Sequence, residues 1–173
     1  MSFRIGNGWD LHRLTTGRNL MLGGVLIPHD KGEDAHSDGD VLIHAIIDAL
    51  LGSMAKGDIG NHFPPHDDRW KDADSSYLLT LVMETLKEEG LSVVNIDTTV
   101  ILQEPHLQPY ILDIRKTLAR LMGLSVSVIS VKAKTAEHIL GELGSGDAIE
   151  AQATVLVHVM EKTRELENPA ETP

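Results

Sequence analysis

The chain has 173 residues, 42% of them hydrophobic, with 15 Lys and Arg against 26 Asp and Glu, a formal charge of −11 and no Cys. That length is read as one compact domain, which at about 150 residues buries roughly 70% of its unfolded-chain surface, so disorder and a two-domain organisation are disfavoured. The zero cysteine count excludes disulfide scaffolds, thiolate metal sites and a thiol nucleophile, leaving nine His and the carboxylates as metal donors. The acidic balance argues against nucleic-acid and anionic-membrane partners, both of which need a cationic field.

Met1 to Ile5 runs straight into strand-like sequence with no leader pattern, and no apolar run approaches a bilayer span, so a soluble, cytoplasmic protein is expected. Residues 3–12 alternate as a half-buried strand, with Phe3, Ile5, Trp9 and Leu11 on the face expected to be core and Arg4, Gly6, Gly8, Asp10 and His12 on the other. Gly23-Gly24 supplies the turn of a hairpin within Asn19 to Ile27. Residues 28–39 read as an irregular loop rich in His, Asp and Gly. A helix follows from Asp40 to about Ala55, capped by Asp38 or Asp40, and Gly57 to Asp74 is a Pro- and Asp-rich loop.

A second helix is predicted over Ser75 to Glu89, stopped by Gly90, and a strand over Val93 to Leu102. After a short loop at Gln103 to Gln108, Pro109 to Met122 reads as a third helix closed by Gly123. Val126 to Ala133 and Ala148 to Met160 read as strands, with a functional-looking loop and room for one helical turn at residues 134–147. Glu161 to Pro173 is charged and contains Pro, so a frayed or disordered tail is expected. Alternating strands and helices imply an α+β or α/β sandwich with helices packed on one face of a sheet.

Residues two apart on a strand point the same way, so Asp10 and His12 present a carboxylate and an imidazole side by side. Alone, that pair reads as a solvated strand face. The helix after Asp40 is apolar nearly all round and therefore buried, with one polar stripe of Asp40, His44 and Asp48 at spacings of four. Buried ionisable groups cost several kcal/mol unless paired or metal-bound. A His44–Asp48 hydrogen bond would satisfy the stripe without metal. Alternatively, Asp10, His12 and His44 form a three-ligand nitrogen and oxygen set that leaves the fourth position of a zinc ion open. The segment His36 to Asp40 is either an ordinary capped helix start or a phosphate site at a helix N-terminus. Gly57-Asp58-Ile59-Gly60, followed by Phe63-Pro64, is either a plain turn or a place where backbone approaches a ligand.

Taken together, Asp10-Leu11-His12, His36-Ser37-Asp38-Gly39-Asp40-Val41, His44-Ala45, Asp48 to Gly52, Gly57 to Gly60 and Phe63-Pro64 resemble the 2-C-methyl-D-erythritol 2,4-cyclodiphosphate synthase family of non-mevalonate isoprenoid biosynthesis. The resemblance covers about residues 3 to 160. It implies an α+β subunit in a homotrimer, with sheets lining a central prism and active sites between adjacent subunits. It also implies a metal-dependent phosphorus–oxygen lyase: the 2-phosphate of 4-diphosphocytidyl-2-C-methyl-D-erythritol 2-phosphate attacks the β-phosphate, expelling CMP and closing a cyclic diphosphate.

Carried over by the resemblance, Asp10, His12 and His44 hold one zinc per subunit, and Glu137 holds a magnesium or manganese ion between the substrate phosphates. His36 and Thr135 stabilise the transition state. Ser37, Asp58, Ile59 and Gly60 contact the methylerythritol phosphate end, with Phe63 and Asp67 beside them in the substrate site. Leu102, Pro105, His106, Lys134 and Ala136 complete the substrate-binding set. The chain also departs from the family's pattern. His106 replaces a usual Lys at the cytidine pocket, Pro65 an Asp, Lys134 and Ala136 two of three Thr, and Ser145 an Arg, while the stretch His138 to Asp147 is one residue longer. A rival reading is a non-catalytic metal-binding trimer that senses a nucleotide or isoprenoid diphosphate. Retention of His36, Thr135 and Glu137 favours the enzyme.

Overall fold

The computed structural model describes residues 2–160, so the tail expected at 161–173 lies outside the described residues. A long strand β1 (Ser2–Thr16) leads into the hairpin β2 (Leu20–Leu22) and β3 (Val25–Ile27), then β4 (Lys31–Asp34) and helix α1 (Val41–Ser53). A single turn α2 (Ile59–His62), helix α3 (Ser75–Glu88), strand β5 (Leu91–Ile101), helix α4 (Ile111–Met122) and strand β6 (Ile129–Lys134) follow. The short α5 (Glu142–Ser145) and the strand β7 (Ala148–Val159) complete the order. The main sheet runs β4-β1-β7-β5-β6 and is mixed, because β5 and β6 pair in parallel and every other pair is antiparallel. Helices α1, α3 and α4 lie on one face of it, the α+β layering that the sequence implies. No helix among the described residues is long and apolar enough to cross a membrane.

Helix α1 is the centre of the core. Leu42, Ile43, Ile46, Ile47, Leu50 and Leu51 are all fully buried, each such side chain contributing about 1.5–3 kcal/mol by leaving water. Asp40 caps this helix by accepting from Ile43 N at 3.0 Å, and the same carboxylate accepts from Gly23 N at 2.9 Å and Gly24 N at 2.6 Å. One buried side chain thus ties the hairpin turn, whose two glycines have φ of 59° and 73°, to the start of α1.

The alternation in β1 is present, but its sense is opposite to the expected one. Phe3, Ile5, Trp9 and Leu11 are 51%, 70%, 52% and 44% exposed, whereas Gly6 and Gly8 are buried against α1. A Cβ on Gly6 would sit 1.7 Å from the Ala49 carbonyl oxygen, and one on Gly8 2.0 Å from that of Ala45. The strand backbone therefore lies directly on the helix backbone, which only glycine permits. Asp10 and His12, in phase with those glycines, go beneath the helix layer rather than into solvent.

Four further differences are local. Residues 31–34, expected as irregular loop, form β4 on the edge of β1, a short strand without an apolar pattern. α2 interrupts the loop expected from Gly57 to Asp74, with Asp58 as its cap. Residues 126–128, expected as strand, make a 3-10 turn capped by Ser125, and β6 begins only at Ile129. Gln108–Tyr110 is likewise 3-10, so the third helix starts at Ile111.

Candidate metal centre

Two elements bring the polar residues together. β1 supplies Asp10 and His12 on its helix-facing side, and α1 supplies His44 from its first turn. Asp10 Oδ2 lies 3.0 Å from His12 Nε2 and 3.0 Å from His44 Nδ1, and the three candidate ligand atoms all fall within 4.8 Å of one another. The expected alternative, a His44–Asp48 pair, is not what forms. Asp48 accepts instead from Ile59 N at 2.7 Å, which fixes α2 against α1.

The outer partners assign the imidazole tautomers. His12 Nδ1 faces the Gly39 carbonyl at 2.8 Å and Glu33 Oε2 at 2.6 Å; a carbonyl can only accept, so Nδ1 carries the proton and Nε2 faces Asp10. His44 Nε2 lies 2.9 Å from Ser75 Oγ, and Ser75 donates its only hydroxyl proton to Asp38 Oδ1. Ser75 must therefore accept from His44 Nε2–H, and Nδ1 faces Asp10. Ser37 Oγ is 3.2 Å from that protonated Nε2 and accepts from Gly39 N at 3.2 Å, which leaves the Ser37 hydroxyl proton for a ligand.

Two inward nitrogen lone pairs and a carboxylate oxygen at these separations repel one another unless a positive charge lies among them. Burial lowers the His12 imidazolium, but its hydrogen bonds to Asp10 and Glu33 win and push it up to about 10. Burial raises the Asp10 carboxyl, but its interactions with the His12 and His44 imidazoles outweigh it and hold the group well below the usual carboxylate range. The pocket thus selects positive charge. The donor set fits zinc, whose bonds of about 2.0–2.2 Å to nitrogen and oxygen place tetrahedral ligands about 3.3 Å apart.

The triad opens into a cavity of about 240 Å³ that is also lined by His36, Ser37, Ile59, Gly60, Phe63, Pro65 and Trp70. Phe63 and Trp70 meet edge to face at 5.0 Å between centroids and close its apolar side. Asp58 caps α2 through Asn61 N at 3.0 Å. Asp67 is turned to Arg69, which donates to its Oδ2 from Nε at 2.9 Å; this and the other Arg69 hydrogen bonds hold its carboxyl down at about 2.

Leu102, Pro105, His106, Lys134, Thr135, Ala136 and Glu137 are not among the residues that line this cavity. They gather where β5 and β6 end. Across the sheet, Asp10 is level with Ala151, Val100 and Ala133, so three strand spacings, about 14 Å, separate the β1 site from the end of β6. There Thr135 Oγ1 donates to Glu137 Oε1, and Glu137 and His138 take left-handed φ of 52° and 59°. Ser145 Oγ donates to Asp147 Oδ2 at 2.7 Å, and Asp147 pairs with Lys31 at 2.8 Å. Lys132 is held by Asp97 at 2.7 Å.

Sequence reasoning missed the groups that orient the histidines: Glu33, Ser75 and Asp38. Asp38 reads as a helix cap and Ser75 as the first residue of a helix, and Glu33 has no periodic or motif signal at all. With this geometry in place, similarity to known proteins becomes informative. The YgbB family profile matches residues 3–158. The chain belongs to the YgbB family. A family relative named 2-C-methyl-D-erythritol 2,4-cyclodiphosphate synthase, from Laribacter hongkongensis, is 54% identical over 157 residues, 91% of this chain and 96% of the relative. A solved 2C-methyl-D-erythritol-2,4-cyclodiphosphate synthase with CDP bound superposes with a TM-score of 0.83 at 38% identity, covering 90% of this chain and all of that one. The bifunctional IspDF from Campylobacter jejuni matches with a TM-score of 0.88 at 36% identity, over 92% of this chain and 43% of its own length.

Proposed function

We propose that the chain is a 2-C-methyl-D-erythritol 2,4-cyclodiphosphate synthase that works in the cytoplasm and releases CMP as it closes the cyclic diphosphate. The observation that carries the reading is the convergence of Asp10, His12 and His44 on the cavity that also holds His36, Ser37, Ile59 and Gly60. Zinc held by the three side chains would act there as a Lewis acid on a phosphate oxygen. The protein's own task is positioning. The 2-phosphate oxygen forms a bond to the β-phosphorus while the bond from that phosphorus to the bridging oxygen breaks, and the electron pair leaves with CMP. Both reacting phosphates belong to one molecule, so no protein nucleophile is required, and alignment together with charge neutralisation accounts for the rate.

Ser37 has a hydroxyl proton free to donate to a phosphate oxygen, and the imidazole of His36 lines the same cavity. Asp58 and the Ile59-Gly60 backbone suit the hydroxyl-bearing end of the substrate. On the far side, Thr135 and Glu137 are read as the transition-state and second-metal pair, with Leu102, Pro105, His106, Lys134 and Ala136 around the cytidine. Measuring CMP formation from the cytidylylated substrate tests the whole reading, and no CMP above the protein-free rate would reject it.

The Glu137 assignment has its own signature. Glu137→Gln is expected to keep one zinc per chain, lose most activity and lose its response to added magnesium or manganese, because a carboxylate oxygen suited to those hard cations becomes an amide. Metal analysis with a magnesium titration checks it; an unchanged response would contradict the assignment.

Separation of the two half-sites across the sheet supports a cleft shared between subunits of a homotrimer. The exposed row Phe3, Ile5, Trp9 and Leu11 supports it too, since it gives the helix-free sheet face an apolar patch suited to a symmetric partner. Mixing subunits that carry His44→Ala with subunits that carry Thr135→Ala is therefore expected to regenerate some clefts with both halves intact and to recover part of the activity. No recovery at any mixing ratio would count against the shared cleft.

A further inference from the structure

We propose that Glu33 is a positioning residue of the metal centre: its carboxylate holds His12 by Nδ1 so that Nε2 faces the ion, and it supplies the second negative charge that matches a divalent cation. Glu33 is fully buried on β4, opposite Leu14 of β1. Its Oε2 accepts from His12 Nδ1 at 2.6 Å and from Val41 N, the first residue of α1, at 3.0 Å. Its Oε1 is buried and has no hydrogen-bond partner among the described residues. The space is shaped around it, because a Cβ on Gly39, which has φ of 85°, would come 2.7 Å from the Glu33 Cβ. Gly39 in turn gives its carbonyl to the same His12 nitrogen.

A buried carboxylate with one unsatisfied oxygen is unfavourable by itself. It becomes explicable beside a dication. Asp10 provides one negative charge at the ion and the two imidazoles are neutral when ligating, so Glu33 completes the balance through His12. A carboxylate on the far nitrogen of a ligating imidazole fixes its tautomer and raises its basicity, and loss of such a partner typically lowers metal affinity 10- to 100-fold. His44 reaches its carboxylate, Asp38, only through the Ser75 hydroxyl, whereas Glu33 touches His12 directly, so the two histidines are tuned differently.

The inference rests on zinc being held by Asp10, His12 and His44, and the experiment separates the two. Zinc affinity is measured by chelator competition for the unaltered chain and for Glu33→Gln, which keeps volume and one acceptor oxygen but removes the charge. Thermal unfolding of both metal-free proteins is recorded alongside. The expected result is a 10- to 100-fold loss of zinc affinity with a metal-free melting temperature unchanged or higher, whereas a merely structural role would lower both together. Equal affinities would overturn the role of Glu33, and no zinc binding by the unaltered chain would overturn the metal centre itself. Should Glu33→Gln fail to fold, nitrogen-15 shifts of the zinc-loaded unaltered chain decide: His12 protonated at Nδ1 and metal-bound through Nε2 is expected, and the reverse pattern would overturn the proposal.

Discussion

His44→Ala is expected to abolish stoichiometric zinc binding and to lower CMP formation by at least about a thousandfold, the scale of several kcal/mol of charge stabilisation at a transferring phosphate. The imidazole is nearly buried and bridges two layers, with Nδ1 at Asp10 and Nε2 at Ser75. Its removal leaves those partners open and costs the fold about 1–3 kcal/mol, an amount that a core built on α1 tolerates. Metal analysis, circular dichroism and a CMP assay on the same preparation separate these effects. Full zinc occupancy in the folded variant would show that His44 is core filler rather than a ligand.

Gly8→Ala is expected to be among the most damaging single-methyl changes in the molecule. The added Cβ would lie 2.0 Å from Ala45 O and 2.7 Å from Ala49 N, both backbone atoms that no rotamer change can move. Overpacking costs about 1–3 kcal/mol where side chains can yield and more where they cannot, so a loss of at least about 3 kcal/mol is expected, together with zinc, because β1 and α1 carry the ligands on the two sides of this contact. Gly52 in α1 is the comparison. A Cβ there meets only Asn7 O at 3.8 Å, and Gly52→Ala should stabilise the helix by up to about 1 kcal/mol. Urea unfolding of the two variants tests the contrast, and similar midpoints would contradict the close backbone approach.

Much of the site was legible because its residue types sit on strong periodicities. The stripe Asp40, His44 and Asp48 stands out on an otherwise apolar helix, and the Asp10–His12 spacing puts both side chains on one strand face. The sense of that face was not legible. Phe3, Ile5, Trp9 and Leu11 look like core, and nothing local states that glycines opposite them let a helix lie on the strand instead. Alternation gives two faces; which one the helix covers depends on a contact between residues 8 and 45, distant in sequence. Glu33 was illegible for a related reason. Its role comes from the pairing of β4 with β1 and from the end of α1, and a Lys-Gly-Glu-Asp segment carries no apolar pattern to announce a strand. Division of the site into a β1 half and a β6 half depends on strand order, which puts β7 and β5 between them.

The most direct test of the metal-centred reading is a zinc titration of metal-free protein in the presence of magnesium and 4-diphosphocytidyl-2-C-methyl-D-erythritol 2-phosphate, with products resolved by phosphorus-31 NMR. Cyclic diphosphate and CMP are expected in equal amounts, at a rate that rises with added zinc and levels off at one zinc per chain. Cyclic product at full rate without zinc, or the same titration curve from His44→Ala, would contradict it.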